Sequence, residues 1–185
     1  LGLLFTYAAM GQTPQATSNN QSNTTSAYQD APATKYEVAI QNTNPQPPSE
    51  PLSLWYTTPA TNWVREALPI GNGDMGAMIL GGVAQDRIQF NHKTLWKGTS
   101  NPTDLGSYLP FGDIYITNLN AKNATNYRRC LNLCTAVADV QYDADGECYT
   151  REYLCSNPDK VVAIRYKAKH ARNLSLSINL INAQG

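Results

Sequence analysis

The 185-residue sequence predicts an all-β fold, an antiparallel β-sandwich. Three observations point there. Short apolar–polar alternations recur from residue 52 onward, the spacing of strands with one buried face. No stretch sustains the 3.6-residue period of an amphipathic helix. The alternating runs are rich in Tyr, Thr, Val and Ile, which suit a pleated, half-buried surface.

Taken in order, residues 52–56 (LSLWY) alternate as a first strand. Residues 76–80 (GAMIL) form a compact apolar run, 81–86 (GGVAQD) a turn, and 87–90 (RIQF) an alternating return, which together predict a hairpin. Residues 113–117 (DIYIT) alternate again. Residues 135–143 and 148–156 flank the turn ADGE, a second hairpin punctuated by Asp145-Gly146. Residues 160–168 and 174–181 finish the series. In the last run Leu174, Leu176, Ile178 and Leu180 point inward, and its edge and apolar face are expected to stand open. The packing of such runs into two layers is the sandwich architecture.

Upstream of residue 52 the composition changes. Residues 1–11 open with the apolar LGLLF and end in small residues, like the back half of a secretory signal peptide, and predict export. The run is too short to span a bilayer. Residues 12–51 are dominated by Gln, Asn, Thr, Ser and Pro and read as a disordered polar linker, with one short strand expected at 35–40 (KYEVAI). The folded domain is therefore expected over 52–185. Fourteen basic side chains balance fourteen acidic ones, so the long-range field that draws proteins to nucleic acid or anionic membrane is missing. A polar, uncharged surface suits neutral ligands, including sugars.

The stretch GNGDMG, residues 71–76, fits G-x-G-x-x-G letter for letter. A dinucleotide fingerprint must follow a parallel strand and open a helix. Here Pro69 stands just before the glycines, a β-hairpin follows, and Asn91 and His92 occupy the place of the ribose-binding acid. The glycines instead permit positive φ or close backbone approach. No cofactor is implied.

Several linked motifs together resemble the start of glycoside hydrolase family 95, the α-L-fucosidases and related enzymes. They are L-W-Y (54–56), P-A-x-x-W (59–63), E-A-L-P-I-G-N-G-x-x-G-A-M-x-x-G-G (66–82) and I-Q-x-N-x-x-x-L-W-x-G (88–98). GSYLPFGDIYI (106–116), YRRCLNLCTAVADVQY (127–142) and YTREYLCSNPDKVVAIRY (149–166) continue the likeness. The resemblance implies an N-terminal β-sandwich, joined in the whole enzyme to an (α/α)6 helical barrel that carries the catalytic carboxylates. It implies inverting hydrolysis of fucosylated glycans there, one carboxylic acid protonating the leaving oxygen while a second carboxylate activates water. The chain ends at Gly185, ahead of any such barrel, so it is expected to be a truncated sandwich, non-catalytic alone, whose partners are the absent barrel and an oligosaccharide. Two other readings are a free-standing carbohydrate-binding sandwich and a non-functional remnant.

The resemblance also suggests that loops around the first hairpin approach the sugar cleft. Trp63, Asn91, His92 and Trp96, with Lys97 beside them, are the candidate rim residues, Trp stacking on a sugar face and Asn or His bonding hydroxyls. The bland alternative is buried tryptophans and a turn-capping asparagine. His92 stands where the family commonly has Glu. Glu66, Asp74, Asp86, Asp104, Asp113, Glu147 and Glu152 are available carboxylates, but none is expected to be catalytic. Glu152, beside Arg151 on one strand, should face away from it and pair across strands. Cys130, Cys134, Cys148 and Cys155 admit one or two disulfides or reduced, packed thiols. Their C-x3-C and C-x6-C spacing is unlike usual zinc sites, and no metal site is expected. Asn20, Asn23, Asn123 and Asn173 begin N-x-S/T sequons.

Overall fold

The structure is a computed structural model that describes residues 2–5, 38–41, 45–101, 103, 105–121 and 123–183. Two facing sheets and a small ribbon account for its strands. The larger sheet contains β1 (Gly2–Phe5), β2 (Ile40–Gln41), β3 (Ser53–Tyr56), β10 (Ala124–Asn132), β11 (Val137–Ala144), β12 (Glu147–Ser156) and β13 (Val161–Ala168). Their order is β1-β13-β12-β11-β10-β2, with β3 also paired to β10. The smaller sheet contains β4 (Leu68–Gly71), β5 (Met75–Ile79), β6 (Gln85–His92), β9 (Gly112–Asn118) and β14 (Leu176–Asn182), in the order β14-β9-β6-β5-β4. A ribbon of β7 (Trp96–Lys97) and β8 (Ser107–Tyr108) projects beside it. Pairing is antiparallel except that β2 runs parallel to β10.

Both expected hairpins form. Ile79 faces Ile88 across β5 and β6. Ala144 faces Glu147 across β11 and β12, with Asp145 and Gly146 at φ of 51° and 79°, the turn geometry that Asp-Gly favours. Of the residues read as a leader, Gly2–Phe5 pair with β13, Phe5 opposite Val162. Within the polar linker, residues 12–37 lie outside the described residues, while Val38 and Ile40 pack against the core.

Five strands are additions, β1, β4, β7, β8 and β10. β4 contains Pro69, which supplies no ladder N–H, and β4 is tolerated because it is the edge of its sheet. β10 carries Arg128 and Arg129 and a register shift between Thr125 and Arg128, where Asn126 has a φ of 51°. GNGDMG is thus the turn of a β4–β5 hairpin, Gly71 paired with Gly76. Gly73 takes the left-handed φ of 89°. Asn72 Oδ1 accepts from the backbone N–H of Asp74 and Met75, at 3.0 and 2.8 Å. The Asn72 amide donates to Ser156 O at 2.7 Å, and Asn157 donates to Asn72 O at 2.8 Å, which ties this turn to the opposite sheet.

The core lies between the sheets. Ile70, Ile79, Ile88, Ile114 and Ile116 of the smaller sheet meet Tyr127, Val140, Tyr142, Tyr153 and Ile164 of the larger. Among the tyrosines sits a buried polar knot around the turn at Gly81-Gly82. Arg151 donates to the carbonyls of Gly82 and Val83, each at 2.5 Å, and to Tyr142 Oη at 2.7 Å. Tyr127 donates to Gly81 O at 2.6 Å, and Asp86 accepts from Gly81 N–H at 2.9 Å. The otherwise orphaned turn groups find partners there, as buried backbone must.

Candidate functional site

A hollow of about 320 Å³ opens on the outer face of the smaller sheet. Strand alternation places Pro69, Met78, Gln89 and Asn91 on that face, because Pro69 pairs with Met78 and Met78 with Gln89. Gly76 pairs with Gly71 on one side and Asn91 on the other, so this part of the face lacks two side chains. A Cβ built on Gly76 would meet only Ile70 O, at 3.6 Å. The glycines of the opening motif therefore make both the turn and the floor.

Trp63 forms one wall, on the single helical turn α1 (Trp63–Glu66). Asn62 Oδ1 caps that turn by accepting from Arg65 N–H at 2.9 Å. Trp63 and Met78 pack on the small buried group Ala60, Ala67 and Leu80. Tyr108 and Pro110 form the facing wall. Trp96 meets Tyr108 edge to face, centroids 4.6 Å apart, and stays 49 % exposed. Its indole lies over Gly106, where a Cβ would come within 2.6 Å of the ring.

The hollow thus brings together two expected residues, Trp63 and Asn91, with Trp96 one ring away. His92 follows Asn91 on β6 and leaves by the opposite face; its Nδ1 lies 2.8 Å from Thr94 Oγ1. Lys97 is exposed on the ribbon, opposite Ser107. These residues stand on a helical turn and on strands, not on loops, because the strands run further than the short alternating runs suggest. Gln89, Tyr108, Met78 and Gly76 are additions to the site. Gln89 was recoverable, lying two residues from Asn91 on one strand face. Nothing local marks Tyr108, which arrives through the ribbon.

The carboxylates have structural partners. Glu66 Oε2 accepts from the N–H groups of Asn62 and Thr61, and these bonds lower its pKa. Asp74 bridges Lys160 and Lys93, whose ammonium groups hold it at about 2. Asp86 is buried; desolvation pushes its carboxyl up against the pull of Arg151 and the Tyr153 hydroxyl. Arg87 and Asp113 pair at 2.9 Å. Glu147, against the cost of burial, is held at about 2 by hydrogen bonds from His170 and Asn173. Glu152 pairs with Arg165 and Lys167 on the face opposite Arg151, as expected. Asp139, opposite Glu152, has its pKa raised by burial. Asp104 lies outside the described residues.

All four cysteines are free, Cys130 buried and Cys134 exposed. Among the described residues no cluster of His, Cys, Asp and Glu is arranged to hold a metal, and no helix is long and apolar enough to cross a membrane. Asn173 donates its amide to Glu147. Asn123 precedes β10 with a φ of 40°. Asn20 and Asn23 lie outside the described residues.

Fold and site define a two-sheet β-sandwich with a neutral, aromatic-walled hollow. The chain belongs to the family described as "Glycosyl hydrolase family 65, N-terminal domain", matched over residues 54–105 and 99–184. It is similar to Alpha-L-fucosidase 2 of Arabidopsis thaliana, 29% identical over 170 residues, covering 71% of this chain and 20% of that protein. It is also similar to Probable alpha-fucosidase A of Aspergillus niger, 27% identical over 155 residues (61% and 19%), and of Aspergillus oryzae, 25% over 164 (66% and 22%). The chain spans about a fifth of the length of these relatives. The family number differs from the 95 of the motif resemblance, but the domain type and the α-fucosidase relatives are those the motifs implied.

Proposed function

We propose that the chain is the N-terminal platform of an exported α-L-fucosidase-like hydrolase that acts on fucosylated glycans with inversion. The acid and base of that reaction are supplied by a helical barrel outside these residues, and the sandwich is non-catalytic alone. Trp63, Asn91 and Trp96 stand at the rim it offers to the glycan. One observation carries the non-catalytic part: Glu66, Asp74, Asp86, Asp113, Glu147 and Glu152 are each engaged by hydrogen bonds or cations, and none lines the hollow. Inverting hydrolysis needs two carboxyl groups across a shared cleft, with room for water. The family and the α-fucosidase relatives support the glycosidase setting; the apolar start of the sequence supports export.

The purified 185-residue chain is expected to leave a fluorogenic α-L-fucoside intact. Turnover that disappears on substitution of a single carboxylate in this chain would overturn the proposal. A free-standing carbohydrate-binding sandwich is the second reading, favoured by the hollow itself.

A further inference from the structure

We infer that the outer edge of β13 is a strand-accepting site, which takes an extended peptide with large apolar residues at alternate positions. Hydrogen-bond phase defines the edge. Lys169 N–H donates to Cys148 O at 3.1 Å, one step past Ala168, which pairs with Tyr149. Backbone groups alternate in direction along an antiparallel strand. Ala163, Arg165 and Lys167 therefore bond to β12, while Val162, Ile164, Tyr166 and Ala168 turn their N–H and C=O outward. Residues 2–5 are seated on that side, Phe5 opposite Val162 and Leu3 opposite Ile164, antiparallel. Val162 and Ile164 are buried in the core between the sheets. The register positions opposite them lie at the core margin and suit apolar residues.

The seated strand is shorter than the edge. β13 runs for 8 residues, Val161–Ala168, and β1 pairs only with residues 162–165. Among the described residues no strand pairs with the outward groups of Tyr166 and Ala168, so a longer strand would find further partners there. Adding a strand to a sheet edge draws affinity from main-chain hydrogen bonds and selectivity from alternate side chains. Pro is excluded opposite Val162 and Ile164, where the incoming strand must supply an N–H. Leu3 and Phe5 belong to the stretch read as a leader, and export would remove β1 with it. That vacating step rests on the platform reading; the accepting edge does not.

Amide hydrogen exchange of the 185-residue chain, followed by NMR, tests the inference. Leu3→Pro is expected to speed exchange at Val162 and Ile164 about tenfold or more, while the amides of Ala163 and Arg165, bonded to β12, stay slow. A synthetic peptide of residues 1–8, LGLLFTYA, added to this variant should restore the protection saturably. The same peptide with Leu3→Asp and Phe5→Asp should not. Should the variant lose its unfolding transition, the unmodified chain decides. Its Val162 and Ile164 amides are expected to exchange faster than those of Ala163 and Arg165, because a seated strand leaves an accepting edge before the sheet itself opens. The inference is overturned if those rates are equal, if neither peptide restores protection or both do alike, or if light scattering shows a second copy filling the vacated edge. Failure of the peptide to bind leaves the platform reading standing, and hydrolysis of a fucoside by the chain would refute that reading but not this one.

Discussion

Asp86 and Arg151 meet 3.8 Å apart between the two sheets, with side-chain exposures of 0% and 1%. The pair lies in a cage of tyrosines: Arg151 stands 4.9 Å from the ring centres of both Tyr142 and Tyr166, and Tyr153 and Tyr166 donate to Asp86. Arg151 also fixes the turn at Gly82 and Val83, so one side chain of the larger sheet positions the hairpin whose strands form the floor of the hollow. Breaking one partner strands the other charge in low dielectric. Asp86→Ala is expected to cost about 3–5 kcal/mol, read as a lower urea midpoint, or to abolish the cooperative transition.

The turn glycines give a graded series. A Cβ at Gly82 would come within 2.1 Å of Gln85 O, and one at Gly81, φ 75°, within 2.6 Å of the Tyr127 hydroxyl. Gly73 has φ 89° but open space around it. Gly76 has ordinary φ and an ordinary 3.6 Å contact. Gly82→Ala and Gly81→Ala should therefore destabilise most, Gly73→Ala by about 1 kcal/mol from backbone strain, and Gly76→Ala least. Thermal unfolding of the four variants checks the order.

Acid sensitivity follows from Glu147. Its folded pKa of about 2 lies below the ordinary 4.5. A depressed carboxylate contributes stability fully above its unfolded value and loses it as pH falls through the folded one. Stability should therefore decline between about pH 4.5 and 2, with Asp74 adding to it from 3.8 to about 2. Glu147→Gln should flatten the upper part of that decline in urea titrations across pH. The Asp74 share should shrink in high salt, because its two lysines are more than half exposed.

Thiol labelling should separate the cysteines. Cys134 is exposed, whereas burial pushes the thiols of Cys130 and Cys148 up and that of Cys155 to about 11. The thiolate is the reactive form. Near neutral pH, Cys134 should be alkylated first and Cys130 and Cys155 only with unfolding, as counted by intact mass. Failure of all four to react after denaturation without reductant would instead reveal disulfides.

Alternation made the strands with one clean face legible, as at 148–156 and 160–168. It failed where physics other than burial set the pattern. Pro69 and Gly71 hide β4, since edge position and a turn govern those residues. β10 hides because Arg129 points inward, donating to Thr58 O and Glu66 O and lying 4.1 Å from the centre of the Tyr56 ring. α1 is one turn long, too short for any period. Of the site, the motifs indicated Trp63, Asn91 and Trp96. Register alone separates Asn91 from His92 and adds Gln89; a long-range approach adds Tyr108.

The β14 edge bears on handling the protein. Ile178 and Leu180 alternate toward the core side, yet are 38 % and 60 % exposed, and Ile181 on the other face is 46 % exposed. Among the described residues β14 pairs with β9 on one side only, and it includes no Lys or Pro to protect the other. Such an edge offers a template for pairing with another chain. Leu180→Lys places a charge on that edge without removing a buried contact, so it should leave the unfolding midpoint within about 0.5 kcal/mol of the original while reducing self-association. Light scattering across a concentration series checks this. Association equal in Leu180→Lys and the unmodified chain would show that another surface drives it.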